Sequence, residues 1–148
     1  MRYILVFFLS LFATVHANSM EVYLKDLHAI GKEYMALMNQ IGKDPLASYD
    51  KRISNLFDPD CKKIVNSSLW YQGSNHYLPQ LLVVRDKIGF WRIEPLDIIA
   101  GKDDKNVVVR FLVFAENGTV WNTLVILRVN EKGLISEINE VFNNYEGN

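Results

Sequence analysis

Leu24, Leu27, Ile30, Tyr34, Leu37, Met38 and Ile41 recur at three- and four-residue steps, which lays one apolar stripe along a helix. Gly42 reads as the stop of that helix. Asp44-Pro45 then restarts the pattern, with Asp44 as N-cap, Pro45 in the first turn, and Leu46, Tyr49, Ile53 and Leu56 as the buried face. Asp58-Pro59-Asp60 breaks the chain again, and residues 64–71 read as a short strand followed by a turn at Gly73-Ser74-Asn75. A third helix opens at Pro79, runs to Lys87 and is stopped by Gly89. From Phe90 the period changes to two, giving strands over 90–100, 107–115, 119–129 and 134–142. Pro95 predicts a bulge or an edge position in the first of these. The order predicts an α+β domain with three N-terminal helices packed on one face of a strongly curved mixed or antiparallel sheet.

Turns set which side chains share a face. Asn117-Gly118 predicts a two-residue hairpin that pairs Phe114 with Trp121, Leu112 with Thr123 and Arg110 with Val125. A four-residue turn at 130–133 pairs Val125 with Ile138 and Thr123 with Glu140. One face then carries Val108, Arg110, Leu112, Phe114, Trp121, Thr123, Val125, Leu127, Ser136, Ile138, Glu140 and Phe142, and turns toward the helices. The other carries Val109, Phe111, Val113, Asn122, Leu124, Ile126, Glu137, Asn139 and Val141. It is too apolar for plain solvent, so a homodimer through Asn122, Leu124, Glu137 and Asn139 is expected.

The first seventeen residues change the setting. Arg2, the apolar run 4–12 and Val15-His16-Ala17 make a secretory signal cut after Ala17, with an uncleaved anchor as the alternative. The apolar run is shorter than the roughly 20 residues that span a bilayer, so no stable membrane insertion is expected after cleavage. Residues 18–148 form one exported domain, periplasmic or extracellular. Without Arg2 the chain keeps fifteen Lys and Arg against seventeen Asp and Glu, and no basic run exceeds two residues, which excludes a nucleic-acid face. Lys62-Lys63 reads as a solvated edge. Cys61 is the one cysteine, so a disulfide framework is excluded and a buried or semi-buried inert thiol is expected, with an intermolecular disulfide as the alternative. His28 belongs at a helix boundary and His76 in solvent, and no metal-ligand spacing or cofactor motif stands out. Asn66-Ser67-Ser68 and Asn117-Gly118-Thr119 match the glycosylation pattern, which matters only in a eukaryotic host.

Three patches carry a family resemblance: residues 33–39 on the first helix, 93–99 opening the sheet, and 128–135 through the last turn. With the element order, they resemble the nuclear transport factor 2-like superfamily, which includes the ketosteroid isomerases and SnoaL-like polyketide cyclases. The resemblance implies a cone whose interior holds a small apolar molecule. In the isomerases a tyrosine on the first helix holds the enolate oxygen, and Tyr34 falls at that place. The resemblance puts Val125 where they carry a protonated acid, and Ile64-Val65-Asn66 where they carry the base. Two of three chemical groups are replaced, so isomerase chemistry is not expected.

Arg110 and Glu140 are expected inside the cone, as a structural ion pair, with each other or with Glu33 or Asp26, or as a polar anchor for a ligand. Trp70, Tyr71, Trp91, Trp121 and Tyr77 offer an apolar mouth or core. The candidate ligand residues are Tyr34, Trp70, Arg110, Trp121 and Glu140. The expected function is non-catalytic binding of a small apolar molecule or a protein partner. The alternatives are a SnoaL-like lyase, cyclase or isomerase, and a scaffold subunit of an envelope assembly.

Overall fold

The computed structural model describes residues 27–101 and 105–145. The signal over residues 1–17, Leu24 and Asp26 lie outside the described residues. Helix α1 occupies 27–43, and α2 spans Asp50–Leu56. Strands β1 (Phe57–Val65) and β2 (Ser68–Gln72) form a hairpin, followed by a 3-10 turn at Ser74–His76 and helix α3 (Tyr77–Ile88). A meander closes the chain: β3 (Trp91–Ala100), β4 (Asn106–Ala115), β5 (Val120–Val129) and β6 (Ile135–Asn144). The six strands make one sheet in the order β2-β1-β6-β5-β4-β3. All neighbours are antiparallel except β1 and β6, which run parallel, so the sheet is mixed.

The core lies between the helices and one sheet face. Tyr34, Leu37 and Ile41 of the α1 stripe are fully buried, as are Val107, Val109, Phe111, Val125, Leu127 and Ile138 beneath them. Gly31 lets α1 approach closely, because a Cβ there would sit 3.0 Å from Val109 Cγ1 and Ile98 Cγ2. Gly89 does stop α3, at φ 75°, where a glycine carries no Cβ penalty.

Four expectations about the elements are corrected. Residues 44–49 do not form helix: Asp44 Oδ1 accepts from Leu46 N at 3.2 Å in a local turn, and Leu46 is 94% exposed. Gly42 does not end α1 but lies within it, in contact with Trp91. Asp58-Pro59-Asp60 belongs to β1, in a stretch where pairing with β6 is interrupted between Phe57 and Lys62, so the missing proline N–H costs no ladder bond there. Residues 64–71 are two strands, because Asn66 and Ser67 take φ of 46° and 68° and reverse the chain.

The largest correction concerns register. Ala115 N donates to Thr119 O at 3.0 Å, Gly118 N donates to Ala115 O at 3.0 Å, and Gly118 has φ 86°. This is a three-residue loop with glycine in the left-handed region, not a two-residue turn. One extra residue moves the β4–β5 pairing by one, so Val113 faces Trp121 and Phe111 faces Thr123. Every β4 side chain changes face. Val109, Phe111 and Val113 point to the helices, whereas Val108, Arg110, Leu112 and Phe114 point away.

The β5–β6 turn also departs from expectation, with a different consequence. Asn130 N donates to Leu134 O across a three-residue loop, which moves the pairing by one, and a bulge at Arg128/Val129 moves it by one more, so Val125 faces Glu140 and Thr123 faces Phe142. An even shift preserves the faces, and Glu140 stays inside. At Pro95 the β3–β4 register does break, on an edge strand.

Candidate functional site

Strand alternation builds the floor of the site. In β1, Cys61, Lys63 and Val65 point inward; in β5, Trp121, Thr123 and Val125 do; in β6, Glu140 and Phe142 follow. Met38 of α1 and Gln80, Leu81, Val84 and Ile88 of α3 supply the opposite wall. Between them lies a cavity of about 350 Å³. Trp70, Trp91 and Trp121 all line it, and they are every tryptophan in the chain.

The tryptophans are held differently. Trp91 is buried, and its Nε1 donates to Met38 O at 3.1 Å, which locks the ring against the end of α1. Trp121 meets Phe142 edge-on, with ring centroids 6.5 Å apart. Trp70 is 39% exposed on edge strand β2, beside the similarly exposed Val83, and marks an opening to solvent. Its ring lies 5.6 Å from Lys63 Nζ.

One charged pair faces this apolar space. Lys63 Nζ lies 3.0 Å from Glu140 Oε2, with side chains only 3% and 10% exposed. The distance is that of an ion pair, but Oε2 is not aligned as a hydrogen-bond acceptor, so its hydrogen-bonding capacity is not used up. A pair buried this deeply is retained only because each charge neutralises the other. Lys63 is therefore no solvated edge residue. The hairpin at Asn66-Ser67 places β1 between β2 and β6, and that turns Lys63 inward. The inward alternation Cys61, Lys63, Val65 was present in the sequence, but it points to the cone only once β1 is known to be an interior strand.

The other candidates separate. Trp70, Trp121 and Glu140 share the cavity wall. Arg110 does not: it lies on the outer face, 2.7 Å from Asp97 Oδ2, and is half exposed. Its expected pairing with Glu140 is replaced by Lys63, and Glu33 is taken by Arg52 at 2.7 Å. Tyr34 is fully buried but does not line the cavity; its ring packs edge-on to Phe57 at 6.4 Å. The hydroxyls of Tyr34, Tyr71 and Tyr77 have no hydrogen-bond partner among the described residues. Burial first, then Tyr77 and Glu140 nearby, pushes the Tyr34 hydroxyl well above its ordinary pKa.

Cys61 is buried, and burial pushes its thiol from 9.0 up to about 12, with Asp58 and Glu137 adding to the rise. A thiolate is thus suppressed. Among the described residues no group of His, Cys, Asp and Glu could hold a metal ion.

Solved structures share this architecture. An NTF2-like protein from Exiguobacterium sp. 255-15 is 19% identical, with 76% of this chain and 96% of that one covered at a TM-score of 0.62. The chain has the nuclear transport factor 2-like fold. A protein of the SnoaL-like family from Agrobacterium tumefaciens superposes on the same cone at 11% identity, covering 80% and 98%, with a TM-score of 0.61. The epoxide hydrolase/cyclase-like enzyme SalBIII of salinomycin pyran-ring formation is 18% identical over 80% and 92%, at 0.60. At these identities the nuclear transport factor 2-like cone is what is shared, and its chemistry is not. No protein-family model matches the sequence, and no curated protein matches it.

In this cone, Val125 stands where the isomerase resemblance expects an acid, yet its cross-strand partner is Glu140. The carboxylate therefore enters the cavity from the neighbouring strand.

Proposed function

We propose that this chain is an exported, non-catalytic domain that holds a small, mostly apolar molecule carrying one hydrogen-bonding group. The observation that carries the reading is the Lys63–Glu140 pair buried in the wall of a tryptophan-lined cavity of about 350 Å³. That volume suits a small ligand, and apolar walls with a few convergent polar groups are what such sites need. The pair is mutually neutralised, so it favours a neutral polar group over a net charge. Turnover by general acid–base chemistry calls for a second acid or base beside the first, and among the described residues Glu140 is the one carboxylate of the lining, with no histidine. The signal at residues 1–17 supports export.

The outer face supports a homodimer in the same proposal. Ile99, Leu124, Ile126 and Val141 are exposed there, interspersed with Asn122, Glu137 and Asn139. Amides both donate and accept, so they can meet their own copies across a two-fold axis. A second reading, a SnoaL-like cyclase or isomerase with Glu140 as base, draws on the hydrogen-bonding capacity left at Oε2.

Because all three tryptophans line the cavity, intrinsic fluorescence reports its occupancy. Residues 18–148 purified from the native host and sprayed under native conditions should carry a small molecule whose removal shifts that fluorescence. Protein that arrives empty, and whose emission responds to no member of a panel of small apolar alcohols, ketones and lactones, overturns the binding reading.

A further inference from the structure

Lys63 is unusual among the described lysines, being almost fully buried while its side chain borders an apolar cavity. Among the described residues its charge partner is Glu140, whose Oε2 lies 3.0 Å from Nζ and accepts no hydrogen bond. An ammonium has three protons to donate, so an occupant of the cavity can offer Lys63 an acceptor beside Glu140. A carboxylate would set a second anion beside Glu140, and an amine a second cation beside Lys63. A neutral acceptor fits both. Among neutral acceptors, a carbonyl is the one whose carbon an amine can attack, and Glu140 lies 3.0 Å away to take the amine's proton.

Resting on the reading of the cavity as a ligand site, we propose that Lys63 captures small apolar aldehydes or ketones as a covalent imine. The step begins with proton transfer from the Lys63 ammonium to the Glu140 carboxylate 3.0 Å away. The freed Nζ lone pair attacks the carbonyl carbon, the C=O π pair moves to oxygen, and a nitrogen proton follows to give a neutral carbinolamine. Glu140 then protonates the hydroxyl, which leaves as water while the nitrogen lone pair forms C=N. The product is an iminium cation beside a regenerated Glu140 carboxylate. One water is released, and the charge of the pair is the same before and after. No oxidant or metal is required. The Trp70 ring lies 5.6 Å from Lys63 Nζ and Trp121 lines the same cavity, so the bond forms beside apolar surface.

The test uses 3-phenylpropanal with sodium cyanoborohydride, which reduces an iminium to a stable secondary amine, followed by peptide mapping. The alcohol 3-phenylpropan-1-ol is the non-reacting analogue. Exposed Lys62, the neighbour in sequence, is the internal standard. At limiting aldehyde, Lys63 should be labelled about tenfold or more faster than Lys62, the rate gained by holding the carbonyl against the amine. Excess alcohol should suppress labelling at Lys63 and leave Lys62 unchanged. Glu140→Gln, close in volume, should slow Lys63 about tenfold without affecting Lys62.

If aldehyde and alcohol both shift tryptophan emission but Lys63 is labelled no faster than Lys62, the cavity binds and the imine proposal is overturned. If neither shifts emission and Lys63 is not labelled, the imine proposal and the cavity reading fall together for this ligand class. Mapping is done on the unmodified sequence, so the result does not depend on a variant folding.

Discussion

Gly42→Ala sets two physical effects against each other, and the structure decides the sign. Gly42 lies inside α1, where helix propensity alone would favour alanine by up to about 1 kcal/mol. A Cβ at this position, however, would fall 2.6 Å from Trp91 Cε2 and closer still to Nε1 and Cδ1. Trp91 is 4% exposed and packed between α1 and the sheet, so it has little room to retreat. Its displacement would break the 3.1 Å bond from Nε1 to Met38 O. Overpacking costs about 1–3 kcal/mol and an unsatisfied buried polar group about 1–3 kcal/mol more. After the helical gain, the net loss is about 3 kcal/mol. Urea unfolding followed by far-UV circular dichroism measures it. In a Trp91→Phe background, where the indole nitrogen and its ring are gone, the same substitution should cost much less, and the difference is the coupling energy. An alanine variant as stable as the parent, or a cost unchanged by Trp91→Phe, would refute the argument that Gly42 exists to admit the indole.

Lys63→Met leaves Glu140 buried without its cation and should destabilise by about 3–5 kcal/mol, whereas Lys63→Met combined with Glu140→Gln should recover most of that. Equal losses in the single and double variants, measured by urea unfolding, would mean the pair is not coupled. Arg110→Ala removes a half-exposed pair with Asp97 and should cost less than about 1 kcal/mol, with ligand-induced emission changes intact. A lost emission response would return Arg110 to the site. The folded state holds the Cys61 proton more tightly than the unfolded chain, so stability is full below pH 9.0 and declines as pH rises toward about 12. Tyr34 and Tyr77, both raised by burial, act in the same direction above pH 10.0. Urea midpoints on either side of pH 9.0 should show that fall, and Cys61 should resist thiol reagents until the chain unfolds.

The wall of the cavity is legible in part: Trp70, Trp121 and Glu140 line it, because large aromatics and an acid on alternating strands must share a face. Lys63 was missed, because its neighbour Lys62 made the pair look like a surface edge. Nothing local distinguishes a lysine on an edge strand from one on an interior strand. The difference came from Asn66 and Ser67 reversing the chain, a turn without the Asn-Gly signature.

The sequence by itself determined the fold class and the order of the helices and the last four strands. Periods of three to four and of two, punctuated by Pro and Gly, are local properties that survive without tertiary context. It also determined that Cys61 would be a buried thiol, since one small apolar side chain needs no partner. Only the tertiary structure decided which charges meet. One residue more in the 116–118 loop sent Arg110 outward, while a shift of two across the next loop and its bulge left Glu140 inside. Side chains alternate with period two, so an odd error in register exchanges the faces of a strand and an even one does not. Loop geometry carries that parity, and it is fixed by how the sheet closes against the helices rather than by the residues of the strand.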